Sequence, residues 1–208
     1  MENTTENKEM TAPESLSLIT ETLNNSRKEI TRRSAKYWIH WGILLTFFSL
    51  LIYALCKVTG SGAWNYLWFV MPAIGFPLER MLRRKEDAVR VQNDVSRIVG
   101  GIWGAFGLFA SVLSAFTLLY SEFSTDTIKA IGALMALTPE ITLLFGLAEC
   151  ISGVAVKNWI IKLAGGVTAL GGLVLYYITG AQREQLLIFT FAGLVLIATG
   201  LIVKKQYK

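Results

Sequence analysis

The chain is poor in the residues that do chemistry. Its 208 residues include one histidine, His40, two cysteines and four prolines. One histidine excludes an HExxH helix and any multi-histidine metal site. There is no CxxC, no GxSxG and no Walker loop, which removes the commonest redox, acyl-transfer and nucleotide signatures. Charge is scarce as well, at 17% of residues against about 25% in an ordinary soluble domain. Neither a catalytic set nor a metal or cofactor set can be assembled from this inventory, and no catalytic residue, metal ligand or cofactor is expected.

Where charge is missing matters more than how much. Between Lys36 and Lys57 lie 20 residues with no acidic or basic side chain except His40, and 21 residues separate Lys57 from Glu79. Arg97 and Glu122 enclose 24, Lys162 and Arg183 enclose 20, and Glu184 and Lys204 enclose 19. A transmembrane helix needs about 20 mostly apolar residues, so each window fits one span. A sixth window, between Lys129 and Lys157, is interrupted by Glu140 and Glu149. Mean hydropathy is +0.47. These features exclude a soluble enzyme. They predict an all-α polytopic bundle of six transmembrane helices, at about 37–57, 62–80, 98–120, 130–155, 160–180 and 185–203. A cytoplasmic tail and amphipathic helix (1–36) precede the 37–204 bundle, and a short tail (205–208) ends it. Asp87, Asp94 and Asp126, the only aspartates, fall outside the spans, so an intramembrane aspartyl dyad is excluded.

Lys and Arg near helix ends stay on the cytoplasmic side. With the N-terminus inside, the inner segments carry 16 of them and the outer loops only Lys57, Lys129 and Arg183. Both termini are therefore expected in the cytoplasm. The net charge of +5 reads as this topology signal and as attraction to anionic lipid, not as nucleic-acid binding. The first apolar window follows a polar stretch, so it reads as an uncleaved span. Cys56 and Cys150 are expected at opposite sides of the bilayer, too far apart to bond. Trp38, Trp41, Trp64, Trp68, Tyr120 and Trp159 fall near span ends, where amphipathic rings collect.

Outside the membrane, Thr11 and Glu14 have capping-box spacing with Pro13 in the first turn. Leu16, Ile19, Leu23 and Ile30 recur at helical spacing. This helix could lie on the inner leaflet or dock a protein partner. Residues 11–35 and the basic loop 79–97 are the two candidate partner surfaces.

Small residues pattern the spans. Gly100, Gly104, Gly107, Ser111 and Ser114 form one face of span 3. Thr142, Gly146, Glu149 and Gly153 form a face of span 4, and Lys162, Gly165, Ala169, Gly172 and Tyr176 a face of span 5. Such faces let helices approach closely, either within the bundle or in a homo-oligomer. Spans 4 and 5 should form an antiparallel hairpin, in which Glu149 and Lys162 are expected to pair, since intramembrane charges usually do. Pro72, Pro77 and Pro139 are candidate kinks. Glu140 is expected near the bilayer midplane, where an acid by default suggests a proton or cation site. Against this stands Thr138-Pro139-Glu140, which reads as a helix start and would break span 4 in two. Glu140 and Glu149 lie half a turn apart around a regular helix and make no carboxylate pair.

Ser15-Leu16-Ser17-Leu18-Ile19, the basic stretch Arg27–Lys36, Trp41-Gly42 and the later Pro139…Gly146…Gly153…Lys157…Gly165-Gly166 pattern resemble an uncharacterised family of small bacterial multi-pass membrane proteins. The resemblance implies a bacterial inner-membrane location and a helical bundle. It brings no activity, but the family's members accompany transcription regulators, which implies a regulatory role. The expectation is a non-enzymatic membrane protein, regulatory or scaffolding through its basic cytoplasmic helices. The alternative is a small transporter or channel using Glu140.

Overall fold

A computed structural model describes residues 11–84, 94–123, 125–179 and 183–207, and among these every regular element is helical. Helix α1 runs from Ala12 to Thr59. Its start is set by Glu14, whose carboxylate accepts from the Thr11 amide and hydroxyl, both at 2.8 Å. Its end is set by Gly60, at φ 73°, whose amide bonds back to the Cys56 carbonyl at 3.0 Å. No glycine or proline lies between Glu14 and Trp41, so nothing bends the helix there. The boundary expected at residues 36 and 37 is not a break. Tail helix and first span are one 48-residue rod, about 72 Å long at 1.5 Å per residue.

The second apolar window is not one regular helix. A 3-10 segment, Gly62–Phe69, passes into a short α2, Val70–Arg84. Pro72 and Pro77 have no N–H for the carbonyls of Trp68 and Ala73, so an α-helix cannot run cleanly through both. Pro72 accordingly takes a place in the first turn of α2 and is no mid-span kink, while Pro77 lies inside the helix. The pair of segments retraces α1 in reverse. The Trp64 indole donates to the Thr59 hydroxyl at one end (2.8 Å), and Lys36 donates to the Leu82 carbonyl at the other (3.3 Å).

Helices α3 (Asp94–Phe123), α4 (Thr127–Ala155), α5 (Trp159–Thr179) and α6 (Leu186–Gln206) follow, with a short 3-10 turn, Arg183–Gln185, before α6. Helices α1, α3, α4, α5 and α6 are long and apolar enough to cross a membrane, and α2 by itself is too short. Helix α4 is continuous through Pro139, so the break expected at Thr138–Pro139 does not form. The Thr142 hydroxyl bonds back to the Thr138 carbonyl at 2.8 Å there.

The packing is compatible with a membrane protein. Its most extensive helix pairs are α1 with α6 and α4 with α5. The interior holds Thr31, Ser49, Thr142, Glu149, Ser152, Thr168 and Thr199 beside Ile52, Ile161, Ile188 and Val203, whereas Phe47, Phe116, Tyr177 and Ile178 stand on the outside. In water that distribution would leave large apolar patches exposed at great cost. Against lipid it needs no compensation.

Candidate functional site

The α4–α5 hairpin brings most of the singled-out residues together. A Cβ built on Gly146 would come within 2.6 Å of the Ala169 nitrogen and the Gly165 carbonyl oxygen. One on Gly153 would run into the Lys162 backbone, one on Gly165 into the Cys150 backbone, and one on Gly172 into the Thr142 side chain. Glycine is what allows the two backbones to touch along this seam. The turn is closed by Lys157, in the left-handed region at φ 55°. Asn158 then starts α5: its Oδ1 accepts from the amides of Ile160 (3.0 Å) and Ile161 (3.2 Å). Its Nδ2 donates to Gln206 and Tyr207 at the end of α6.

Glu149 lies inside this seam, fully buried. Its Oε2 accepts from the Thr168 hydroxyl at 3.2 Å, and its Oε1 has no hydrogen-bond partner among the described residues. The expected pair with Lys162 is not made, because Lys162 is exposed. The register gives the reason. Position 153 meets 162, 150 meets 165 and 146 meets 169, so Glu149 is level with residue 166, four residues past Lys162 and about 6 Å along the axis. Glu149 is eight residues before Lys157 and Lys162 only five after it, and across a tight three-residue turn that difference becomes about one helical turn of depth.

Glu140 is exposed on the outside of α4. It lies two residues beyond Thr142, which meets Gly172, so it is level with the last two turns of α5 and apart from the buried polar side chains. Pro139, its neighbour, is buried. The face Gly100, Gly104, Gly107 and Ser111 is exposed, and a Cβ on any of its three glycines would meet nothing within 4 Å. Helix α3 instead packs on α4 through rings: Trp103 and Phe106 each lie 5.4 Å from Phe145.

Where α1 meets α2, the Trp41 indole donates to Glu79 at 2.8 Å, the only imidazole lies 3.2 Å from the Gly75 carbonyl through His40 Nε2, and Arg83 pairs with Glu79. Tyr37 lies under both Lys36 (4.7 Å) and Arg83 (5.4 Å). These contacts join the two segments and leave His40 as a structural side chain. Beyond them, the first turns of α1 form an arm whose Leu16, Ile19 and Leu23 are 66%, 57% and 44% exposed. The other candidate partner surface, 79–97, falls at residues 85–93 outside the described residues. No disulfide joins Cys56 and Cys150, and no group of three or more metal-ligating side chains occurs among the described residues.

Several residues that matter carried weak sequence signals. Gly42, Gly193 and Gly200 let α1 and α6 touch, with a Gly193 Cβ only 2.9 Å from the Gly42 carbonyl oxygen. The seven-residue spacing of Gly193 and Gly200 is the mark that would have found them. Nothing in the sequence marks Thr168, and only the hairpin's register makes it the partner of Glu149. Comparison with known protein families, with curated proteins and with solved structures finds no match, so the chain's own residues carry the functional reading.

Proposed function

We propose that this chain is a non-enzymatic integral membrane protein that holds a helical arm ready for a cytoplasmic protein partner, in a regulatory or scaffolding role. In this reading it crosses a bacterial inner membrane six times with both termini in the cytoplasm. The sixth crossing is the 3-10 segment with α2, which retraces α1 between Thr59 and Lys36. The placement of Lys and Arg supports the orientation.

The observation that carries the proposal is the continuity of α1. The same rod that is buried at Ser49 and Ile52 exposes Leu16, Ile19 and Leu23 at its start. Leu23 precedes the first spanning residue, Tyr37, by 14 positions, about 21 Å of helix. With no glycine or proline between them the stripe stands off the bilayer and does not lie along it. A stripe at helical spacing, held rigidly in water, suits a protein partner.

A photo-reactive residue at position 19, in intact membranes, should form a protein adduct that is lost in Leu16→Ser/Leu23→Ser. The same residue at Leu108, on the lipid-facing side of α3, should label lipid. Deleting residues 11–35 should remove the partner, and an unchanged partner set would refute the docking role. The transport alternative is disfavoured by the outward position of Glu140, and Glu140→Gln should leave proton and solute flux in liposomes unchanged.

A further inference from the structure

We infer that Glu149 is a proton-binding site within the α4–α5 seam. Three observations meet there. The carboxyl is fully buried. One of its oxygens takes the Thr168 hydroxyl, itself fully buried, and the other has no partner among the described residues. The helix backbones touch on either side of it, at Gly146 with Gly165 and at Gly153 with Lys162, which closes the seam to water.

Among the described residues no neighbour brings a counter-charge to that level. Lys162 on α5 is exposed and one turn away, and α5 has no ionisable side chain from Leu163 to Leu175. Helix α6 has none from Leu186 to Val203. Helix α3 has none from Ile98 to Leu119, and its Arg97 pairs with Asp94 in the first turn at 3.6 Å. On α4 itself the nearest ionisable groups are the Cys150 thiol and the outward Glu140. A bare carboxylate held there would be an unpaired ion inside a membrane bundle, the most costly arrangement available to it.

The occupant is small. Hard metal cations take six or more oxygens, and here two carboxyl oxygens and one hydroxyl converge between touching backbones. A proton on Oε1 needs no room. It leaves Oε2 as the acceptor for Thr168 and removes the charge from the seam. The glycine-lined closure of the hairpin and the proton on Glu149 therefore depend on each other.

Infrared spectroscopy of the full-length protein in lipid nanodiscs at neutral pH reads this directly. The expected result is a carboxylic-acid C=O band that is lost in Glu149→Gln and kept in Glu140→Gln. Thr168→Val, which keeps the carboxyl, should shift the band to higher frequency by removing its hydrogen bond, so the test does not depend on the Gln variant alone. No such band in the wild type, or a band that persists in Glu149→Gln, overturns the inference. A band that appears only when sodium and potassium are withdrawn also overturns it, by showing a metal cation as the occupant.

Discussion

Gly146 and Gly165 lie back to back across the α4–α5 seam, each where the other's side chain would stand. A Cβ on Gly146 would sit 2.6 Å from the Gly165 carbonyl oxygen, and neither helix can yield without moving its backbone. Gly104 on α3 is the internal control, since a Cβ there meets nothing within 4 Å. Gly146→Ala should cost about 1–3 kcal/mol through overpacking, while Gly104→Ala should stay within about 1 kcal/mol of wild type. Reversible unfolding in micelles measures both. Equal effects at the two positions would contradict the seam.

Thr168→Val removes the only donor to Glu149 among the described residues and should destabilise the bundle by about 1–3 kcal/mol, the cost of an unmet buried acceptor. Thr168→Ser keeps the hydroxyl and should recover most of that loss. If valine and serine behave alike in thermal unfolding, packing and not the hydrogen bond explains the position.

The α4–α5 turn makes a pair of opposite predictions. Lys157 holds a left-handed conformation that costs a side-chain-bearing residue about 1–2 kcal/mol. Lys157→Gly should therefore raise the unfolding temperature. Asn158→Ala removes the cap of α5 and its bonds to Gln206 and Tyr207, and should cost about 1 kcal/mol or more.

The base of the arm responds to acid. Glu29 accepts from Arg32 (2.9 Å) and Arg33 (2.6 Å). The Arg32 bond is the largest influence and, with Arg33, outweighs partial burial, holding the carboxyl down to about 2 from its ordinary 4.5. A lowered value means the folded arm favours the charged form. The stabilisation is complete above about 4.5 and is lost as pH falls toward about 2. A carbon-13 titration of the Glu29 carboxyl should find the low midpoint, and Arg32→Gln should move it up. A midpoint near 4.5 in the wild type would show that the pairs do not form.

Charge-free windows made the helices legible, because desolvating an ion in hydrocarbon costs so much that its absence is informative over 20 residues. Small-residue spacing likewise placed Gly146, Gly153, Gly165 and Gly172 on packing faces, where the seam has them. The same spacing marks Gly100, Gly104 and Gly107, where an added Cβ would meet nothing within 4 Å among the described residues. Periodicity reports a small face and is silent on whether another helix covers it. The second window was legible only in part: hydropathy sees 21 uncharged residues, where the structure has a 3-10 segment and a short helix that carries both prolines. Register was out of reach altogether. Whether Glu149 meets Lys162 or Thr168 depends on a three-residue turn, and a shift of one helical turn exchanges an ion pair for a buried acid.

The central claim is that α1 carries its apolar stripe off the membrane as a rigid arm. A nitroxide at position 19 of the full-length protein in lipid nanodiscs tests it most directly, through its accessibility to a water-soluble relaxant against oxygen. The arm predicts strong collision with the water-soluble relaxant and helical motion continuous with a label at position 26. Preferential collision with oxygen, the mark of a lipid-buried side chain, would place the stripe on the bilayer surface and contradict the account.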